Sequence, residues 1–167
     1  MEENNQYLPD VDGFDLITKA LMDTLNSYPG LEPEEQFKFS TVLNEEGIAV
    51  IASSGAFIVD HRVSITDHVW DTCAYPFMIV YRVSGLDSKR KVDVKEWMDT
   101  LAKWLTRQPV EINREEYRLS RWPKLSGDRT IRDIIRQTPA YLGSINEDKS
   151  ENWVMQLTIQ YMNEFDR

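Results

Sequence analysis

Cysteine is nearly absent from this chain, since Cys73 is the only one in 167 residues. One cysteine cannot form an internal disulfide, and this usage fits a reducing compartment. A chain of this length buries enough surface to fold without a disulfide or a metal. No apolar run approaches the roughly 20 residues that cross a bilayer, and residues 1–6 (MEENNQ) lack the features of a signal peptide. We therefore expect a soluble intracellular protein with no membrane partner.

Glycine is also scarce, with seven residues of which none are closely spaced. The chain therefore has no glycine-rich cradle for a phosphate or a dinucleotide, and neither HExxH nor GxSxG occurs. The dense carboxylate pairs, such as Glu34 and Glu35, are adjacent in sequence and predict surface charge rather than a convergent acid–base pair. We expect no enzymatic activity, no catalytic residues, no metal and no cofactor.

One region holds the residues that would be needed for an alternative, catalytic or metal-binding role. His61, His68 and Cys73 lie close together in sequence and include both histidines. On one regular strand, however, His61 and His68 would point to opposite faces, and so would His68 and Cys73. A metal site would need a β-bulge, and a Cys–His nucleophile would need a lowered thiol pKa. The spacing favours polar residues of a β-hairpin, and the metalloprotein or enzyme remains the alternative.

Charge is distributed unevenly along the chain. Residues 1–46 hold eleven acidic residues against two basic ones, which equals the net charge of −9 of the whole protein. Residues 114–136 hold seven basic residues against four acidic ones. An acidic and a basic region can steer identical subunits head to tail, although a solvated surface would show the same pattern. The overall negative charge argues against binding nucleic acid.

Hydrophobic periodicity predicts two principal helices. The first covers residues 13–27, with Asp12 as its N-cap and Phe14, Ile17, Leu21 and Leu25 on one face. The second covers residues 92–107, with a wide apolar stripe that includes Trp97 and Trp104. Between Tyr28-Pro29-Gly30 and residue 46 we expect a loop with a short edge strand at 37–39.

Several segments alternate as β-strands do. Residues 48–51 and 56–59 flank a Ser-Ser-Gly turn and predict a hairpin. Residues 77–81 are apolar at every position, so this strand should be central, and it should be covered on both sides or by a neighbour on its outer face. Further β-like stretches are 117–122, 130–136 and 153–161. The sequence thus predicts one α+β domain over residues 1–167, with a mixed, mainly antiparallel sheet packed on the two helices and a flexible segment at 1–12.

Aromatic and arginine residues cluster around a turn at residues 123–128. Exposed Trp and Arg are favoured at protein–protein contacts, although each of these side chains could instead be a core or a solvated residue. The loop 53–62, the turn region 122–129 and the arginines beside it are our predicted contact regions. The candidate interface residues are Phe57, Arg62, Trp122, Lys124, Arg129 and Arg132.

The order of these elements resembles a family of bacteriophage proteins. The opening helix DLITKALMDTLNSYPGL (15–31) is similar to the start of small tail-completion proteins of tailed phages. The segments YPFMIVYR (75–82), WMDTLAKWL (97–105) and NWVMQLTIQY (152–161) follow in the same order as in phage minor capsid or tail terminator proteins. The likeness spans most of the chain and depends on the order of the elements.

The resemblance implies a structural virion protein that is assembled in the bacterial cytoplasm. Such a subunit closes into a homo-oligomeric ring, usually a hexamer, that caps the tail tube protein and docks onto the head-completion or connector protein. The family has no cofactor and no catalytic residues, and DNA passes through the lumen without sequence-specific binding. Carboxylates of residues 1–46 could line that lumen and repel the DNA. The alternatives are another head–tail joining (neck) protein and a small intracellular adaptor module that is monomeric or dimeric with an exposed groove.

Overall fold

The computed structural model describes residues 7–40, 46–84 and 88–167. Over these ranges the chain forms two helices and nine strands, and the predicted α+β class is confirmed. In chain order the elements are α1 (Val11–Leu25), β1 (Phe37–Phe39), β2 (Gly47–Ala52), β3 (Phe57–Val63), β4 (His68–Val83), α2 (Ser88–Leu105), β5 (Val110–Ile112), β6 (Glu115–Tyr117), β7 (Arg129–Arg136), β8 (Tyr141–Ile145) and β9 (Glu151–Asp166).

The sheet is built around a long antiparallel ribbon of β4 and β9, each of 16 residues, which pair along their whole length. Two short strands, β2 and β3, pair one after the other with the free edge of β4. In the same way, β8 and β7 pair with the free edge of β9. The sheet is mixed because β1 pairs parallel with β2. Strands β5 and β6 form a separate small hairpin.

The hydrophobic core lies between this ribbon and the two helices. Alternate side chains of β4 and β9 point to one side of the sheet, which we call the inner face, and they are almost completely buried there. The helices close that face with the apolar positions that the periodicity predicted. The core includes Tyr75, Phe77, Ile79, Met155, Leu157, Ile159 and Tyr161 of the sheet, and Ile17, Leu21, Leu25, Met98, Leu101 and Leu105 of the helices.

Residues 9 and 10, within the predicted flexible segment 1–12, contact the rest of the fold. Pro9 forms a β-bridge with Phe57, and the carboxylate of Asp10 accepts a hydrogen bond from the N–H of Gly13 at 3.1 Å. Asp10, rather than Asp12, is therefore the N-cap, and α1 covers residues 11–25 instead of 13–27. The helix start and its N-cap thus differ from the prediction, the flexibility of residues 1–12 stays a prediction, and residues 1–6 lie outside the described residues.

The predicted hairpin of residues 48–51 and 56–59 is wrong. Both segments are strands, but each pairs with β4 rather than with the other. The Ser53–Gly55 segment therefore carries the chain along the edge of β4 from one pairing region to the next, and the N–H of Ser53 bonds the carbonyl of Pro76 on the way. A 16-residue strand is long enough to pair with both short strands end to end, and no local pattern in residues 48–59 reveals that length.

Other boundaries also differ from the prediction. The edge strand at 37–39 and the strand near 130–136 are present, whereas the β-like stretch 117–122 is extended only to Tyr117. The last strand is longer than 153–161, and α2 covers 88–105 instead of 92–107. The short strand β8 was not predicted, because its five residues alternate only weakly.

Candidate interface surfaces

The side of the sheet opposite the helices is uncharged in its middle, where β2 and β4 contribute apolar residues and β9 contributes mostly polar ones. We call it the outer sheet face and define it by the outward positions of the paired strands. One row across the sheet consists of Ala49, Val80, Val154 and Tyr141; the next rows are Ile51, Met78 and Gln156, and then Pro76, Thr158 and Ile135. None of these residues belongs to the core cluster that the helices close.

Charged side chains are confined to the ends and rims of the outer sheet face. Between positions 74 and 80 of β4, and between 154 and 162 of β9, the outward residues carry no charge. Arg82 pairs with Asp148 at one end, and His68 bonds carboxylates at the other. An antiparallel sheet with one face in water normally alternates apolar and polar residues. β9 follows that alternation, whereas the outward residues Pro76, Met78 and Val80 of β4 are apolar. An uncharged centre with a charged rim is found at protein–protein contact surfaces.

Three of the six predicted interface residues lie at the border of this face. Phe57 is the cross-strand neighbour of Ala74 and stacks on Tyr7 with ring centroids 5.3 Å apart. Arg62 lies beside Trp70, is 77 % exposed and bonds Asp60. Arg132, at the bulge of β7, approaches the sulfur of Met162 at 3.7 Å.

The other three lie elsewhere, so the six do not form one surface. Trp122 packs against the core and donates its indole N–H to the carbonyl of Leu105 at 2.9 Å. Lys124 is exposed and lines a shallow groove beside α1. Arg129 corrects the prediction most clearly, because its side chain is only 13 % exposed and is paired with Asp10.

Arg129 belongs to a buried polar network that joins the two ends of the chain. It donates two hydrogen bonds to the carboxylate of Asp10, at 2.6 and 3.0 Å, and the hydroxyl of Tyr161 donates a third at 2.6 Å. Burial alone would raise the pKa of Asp10, but these bonds and the N–H of Gly13 outweigh it, so the pKa lies below its usual value. The sequence distances of 119 and 151 residues explain why no local pattern predicts this network.

The histidine and cysteine region does not converge on one site. His61 bonds Asp71 at 2.5 Å, whereas His68 bonds Asp166 and Glu164 at the tip of the ribbon. Cys73 is buried on the inner face, where desolvation raises its pKa to about 12. A thiol with such a pKa stays protonated at neutral pH and is a poor nucleophile. Within the described ranges, no group of three or more His, Cys, Asp or Glu residues is arranged to hold a metal ion.

The sequence contained one signal for the outer sheet face. The run at residues 77–81 is apolar on both parities, which predicted a strand with cover on both sides or a neighbour on its outer face. The helices cover only one side of it, so Met78 and Val80 remain half-exposed. The six residues that the sequence predicted for the interface, from Phe57 to Arg132, did not include Met78 or Val80.

No model of a known protein family matches the chain. A search of curated proteins gives no significant match either. Among the helices of the described residues, none has the combination of length and apolarity that spanning a bilayer requires.

Proposed function

We propose that this protein is a structural subunit of a ring, and that the ring is a phage tail terminator that caps the tail tube in the neck of the virion. The observation that carries the proposal is the outer sheet face. Its uncharged centre lies on the β4–β9 ribbon, which is paired along its whole length.

A flat, preordered apolar surface suits a permanent contact. Met78, Val80 and Ile51 occupy neighbouring positions on two adjacent strands, so a partner can cover them without any rearrangement of the backbone. Burying such groups releases about 25 cal/mol for each Å² removed from water. Because the strands are already ordered, little conformational entropy opposes that gain. Permanent interfaces are the more apolar class.

The proposed assembly follows from the resemblance and from the surface together. The outer sheet face contacts the neighbouring subunit or the tail tube protein, and the other end of the ring receives the head-completion protein. DNA passes through the lumen, past carboxylates such as Asp12 and Asp15, which are exposed on α1. Repulsion between these carboxylates and the phosphates lets the DNA slide without being bound.

The test combines mass measurement and imaging. Light scattering over a concentration series should give a closed ring of about six subunits, and negative-stain images of the same sample should show a central hole. If the protein stays monomeric, purified tail tubes are added and their ends are inspected for caps. A monomer that does not cap tubes contradicts the terminator and favours the adaptor. Binding to the connector without binding to tubes favours the neck protein.

Charged substitutions on the outer sheet face test whether this surface, rather than another part of the molecule, makes the assembly contact. Met78→Glu and Val80→Glu put carboxylates in its uncharged centre, so ring formation or tube capping should fall at least tenfold, about 1.4 kcal/mol. Ile65→Glu is the matched control, because Ile65 is fully exposed in the β3–β4 turn. Assembly that is equally strong in all three variants would exclude the outer sheet face.

A further inference from the structure

A groove of about 510 Å³ lies between the end of α1, the first half of α2 and the β5–β6 hairpin. We call it the acidic groove. Its walls are apolar and aromatic, from Tyr28, Pro29 and Trp97, and its rim carries four exposed carboxylates and, among the described side chains, no basic one. These carboxylates are Glu32, Asp93, Glu96 and Glu111. In the described part of the chain, none of the four has an ion-pair partner.

The hydroxyl of a largely buried tyrosine also belongs to this groove. Tyr28 is only 3 % exposed, and among the described residues its hydroxyl has no hydrogen-bond partner. Burial alone raises its pKa. The hydroxyl lies against Gly30, which also lines the groove, and a Cβ at Gly30 would approach the Tyr28 oxygen to 2.8 Å. A donor that enters the groove would therefore find both this acceptor and unpaired carboxylates.

The ligand that fits this arrangement is a cationic side chain with an aliphatic stem. The stem of an arginine or a lysine can lie along the Trp97 and Pro29 walls while its charged end reaches the carboxylates. Trp97 is held in place because its indole N–H donates to the carbonyl of Gly30 at 3.0 Å. An arginine can in addition stack on an aromatic ring.

The chain itself carries a matching basic segment, residues 118–124 (RLSRWPK), with three basic residues and no acidic one. It is fixed to the far end of α2. Arg118 donates to the carbonyl of Arg107 at 3.0 Å, Arg107 donates to the carbonyl of Ser120 at 2.7 Å, and Trp122 donates to Leu105. Helical rise places this end about 18 Å from Asp93. Trp122 and its neighbours are therefore held away from Asp93 of their own chain, whereas Arg118 directly follows Tyr117, the β6 partner of Val110 beside Glu111.

We propose that the acidic groove of one subunit binds the basic segment of the next. The inference rests on the proposed ring and names one of its contacts. Two different patches that meet head to tail form a heterologous contact, which closes into a ring when the rotation between subunits allows it. Arg121 and Lys124 are the exposed cations that enter, and the Tyr28 hydroxyl accepts a hydrogen bond from one of them.

The test is a charge-reversal pair. The groove variant carries Asp93→Lys and Glu96→Lys, and the segment variant carries Arg121→Glu and Lys124→Glu. Each variant alone should lose self-association at least tenfold. An equimolar mixture should recover it, because each reversed groove meets a reversed segment and each native groove meets a native segment. Asp128→Lys with Glu147→Lys, two exposed acids outside the groove, is the control for net charge and should assemble as the wild type does.

Several outcomes would overturn the inference. If rings persist in both variants, the tail terminator proposal stands and this contact is excluded. A mixture of the two variants that does not recover self-association also excludes this contact. Groove variants that assemble normally but no longer cap tubes would show that the tube occupies the groove. Thermal denaturation of each variant checks that it is folded.

The hydroxyl is tested separately by Tyr28→Phe. The change removes only the unpartnered oxygen, so stability should stay the same or rise, while self-association should weaken about tenfold, as expected for a lost hydrogen bond to a charged group. Unchanged self-association would exclude the hydroxyl as an acceptor.

If the wild type is monomeric at every concentration, the groove is tested with a labelled peptide of residues 118–124 and the full chain. Fluorescence anisotropy should show binding that weakens with salt and is lost in the groove variant. No binding would overturn the inference independently of the ring.

Discussion

The two faces of the β4–β9 ribbon have similar strands but different surroundings. Phe77 and Met78 are adjacent, yet Phe77 is completely buried under the helices while Met78 lies on the outer sheet face. On the inner face, shape complementarity with α1 and α2 leaves little free surface, so those residues stabilise the subunit itself. On the outer sheet face, Ala49 and Val154 are buried by their sheet neighbours, whereas Met78 and Val80 are partly exposed and available to a partner. The apolar content of a strand therefore does not tell which of the two tasks a residue has.

The largest expected effect comes from shortening a side chain on the inner face. Phe77→Ala should lower the free energy of unfolding by about 4 kcal/mol, because it removes buried contacts and leaves a cavity among close-packed neighbours. Met78→Ala, one residue along, should cost the isolated subunit less than about 1 kcal/mol. Urea titration of both variants measures the difference, and similar losses would show that the outer face is packed within the subunit.

A somewhat smaller effect is expected at the polar end of the inner face. Arg129→Met leaves the buried carboxylate of Asp10 without its cation, which should cost about 3 kcal/mol. The pKa of Asp10 is lowered in the folded chain, so its stabilisation is present above about pH 4 and is lost as the pH falls through the lowered value. As the pH falls below about 4, the free energy of unfolding of the wild type should therefore decrease. That of Arg129→Met should decrease less.

This prediction is checked by urea titration between pH 2.5 and 6. Arg132→Met, which removes an exposed arginine of the same strand, is the control. An equal loss of stability in the two variants, or the same pH dependence in wild type and Arg129→Met, would contradict the buried pair.

The smallest effect is expected at the end of the outer sheet face. His68 donates to Asp166 and Glu164, and these carboxylates raise its pKa above 6.5. The resulting stabilisation is complete below pH 6.5 and is lost as the pH rises through the raised pKa. His68→Gln should therefore lower Tm slightly at pH 6 and leave it nearly unchanged at pH 9. An NMR titration of the ring proton measures the pKa, which Glu164→Gln should lower; a pKa that stays at 6.5 in the wild type would contradict the contact.

The sequence predicted those features of the fold that depend on residues close together in the chain. The apolar face of α1 (Ile17, Leu21 and Leu25) is buried as its spacing indicated, and so are the inward residues of β9. Strand partners were less predictable, since β2 and β3 look like a hairpin in sequence but both pair with β4. Strand pairing depends here on the length of β4, which is long enough to pair with both short strands. That length cannot be read from the sequence of β2 and β3.

The candidate surfaces were also not predictable from local sequence patterns. Arg129 and Trp122 looked like contact residues because of their type, yet a distant carboxylate and the end of α2 hold them. The acidic groove joins residues from three separate segments, so neither its carboxylates nor the unpartnered hydroxyl of Tyr28 form a pattern along the chain.

The sequence by itself determined the α+β class, the apolar faces of the two helices and the alternation of the last strand, because these follow from the helical and strand repeats and from burial of apolar groups. Only the tertiary structure decided which face of the ribbon the helices cover, which arginines are paired and where unpaired charges gather. Those outcomes depend on contacts between residues as much as 151 positions apart, such as Asp10 and Tyr161, and only the folded chain brings such residues together.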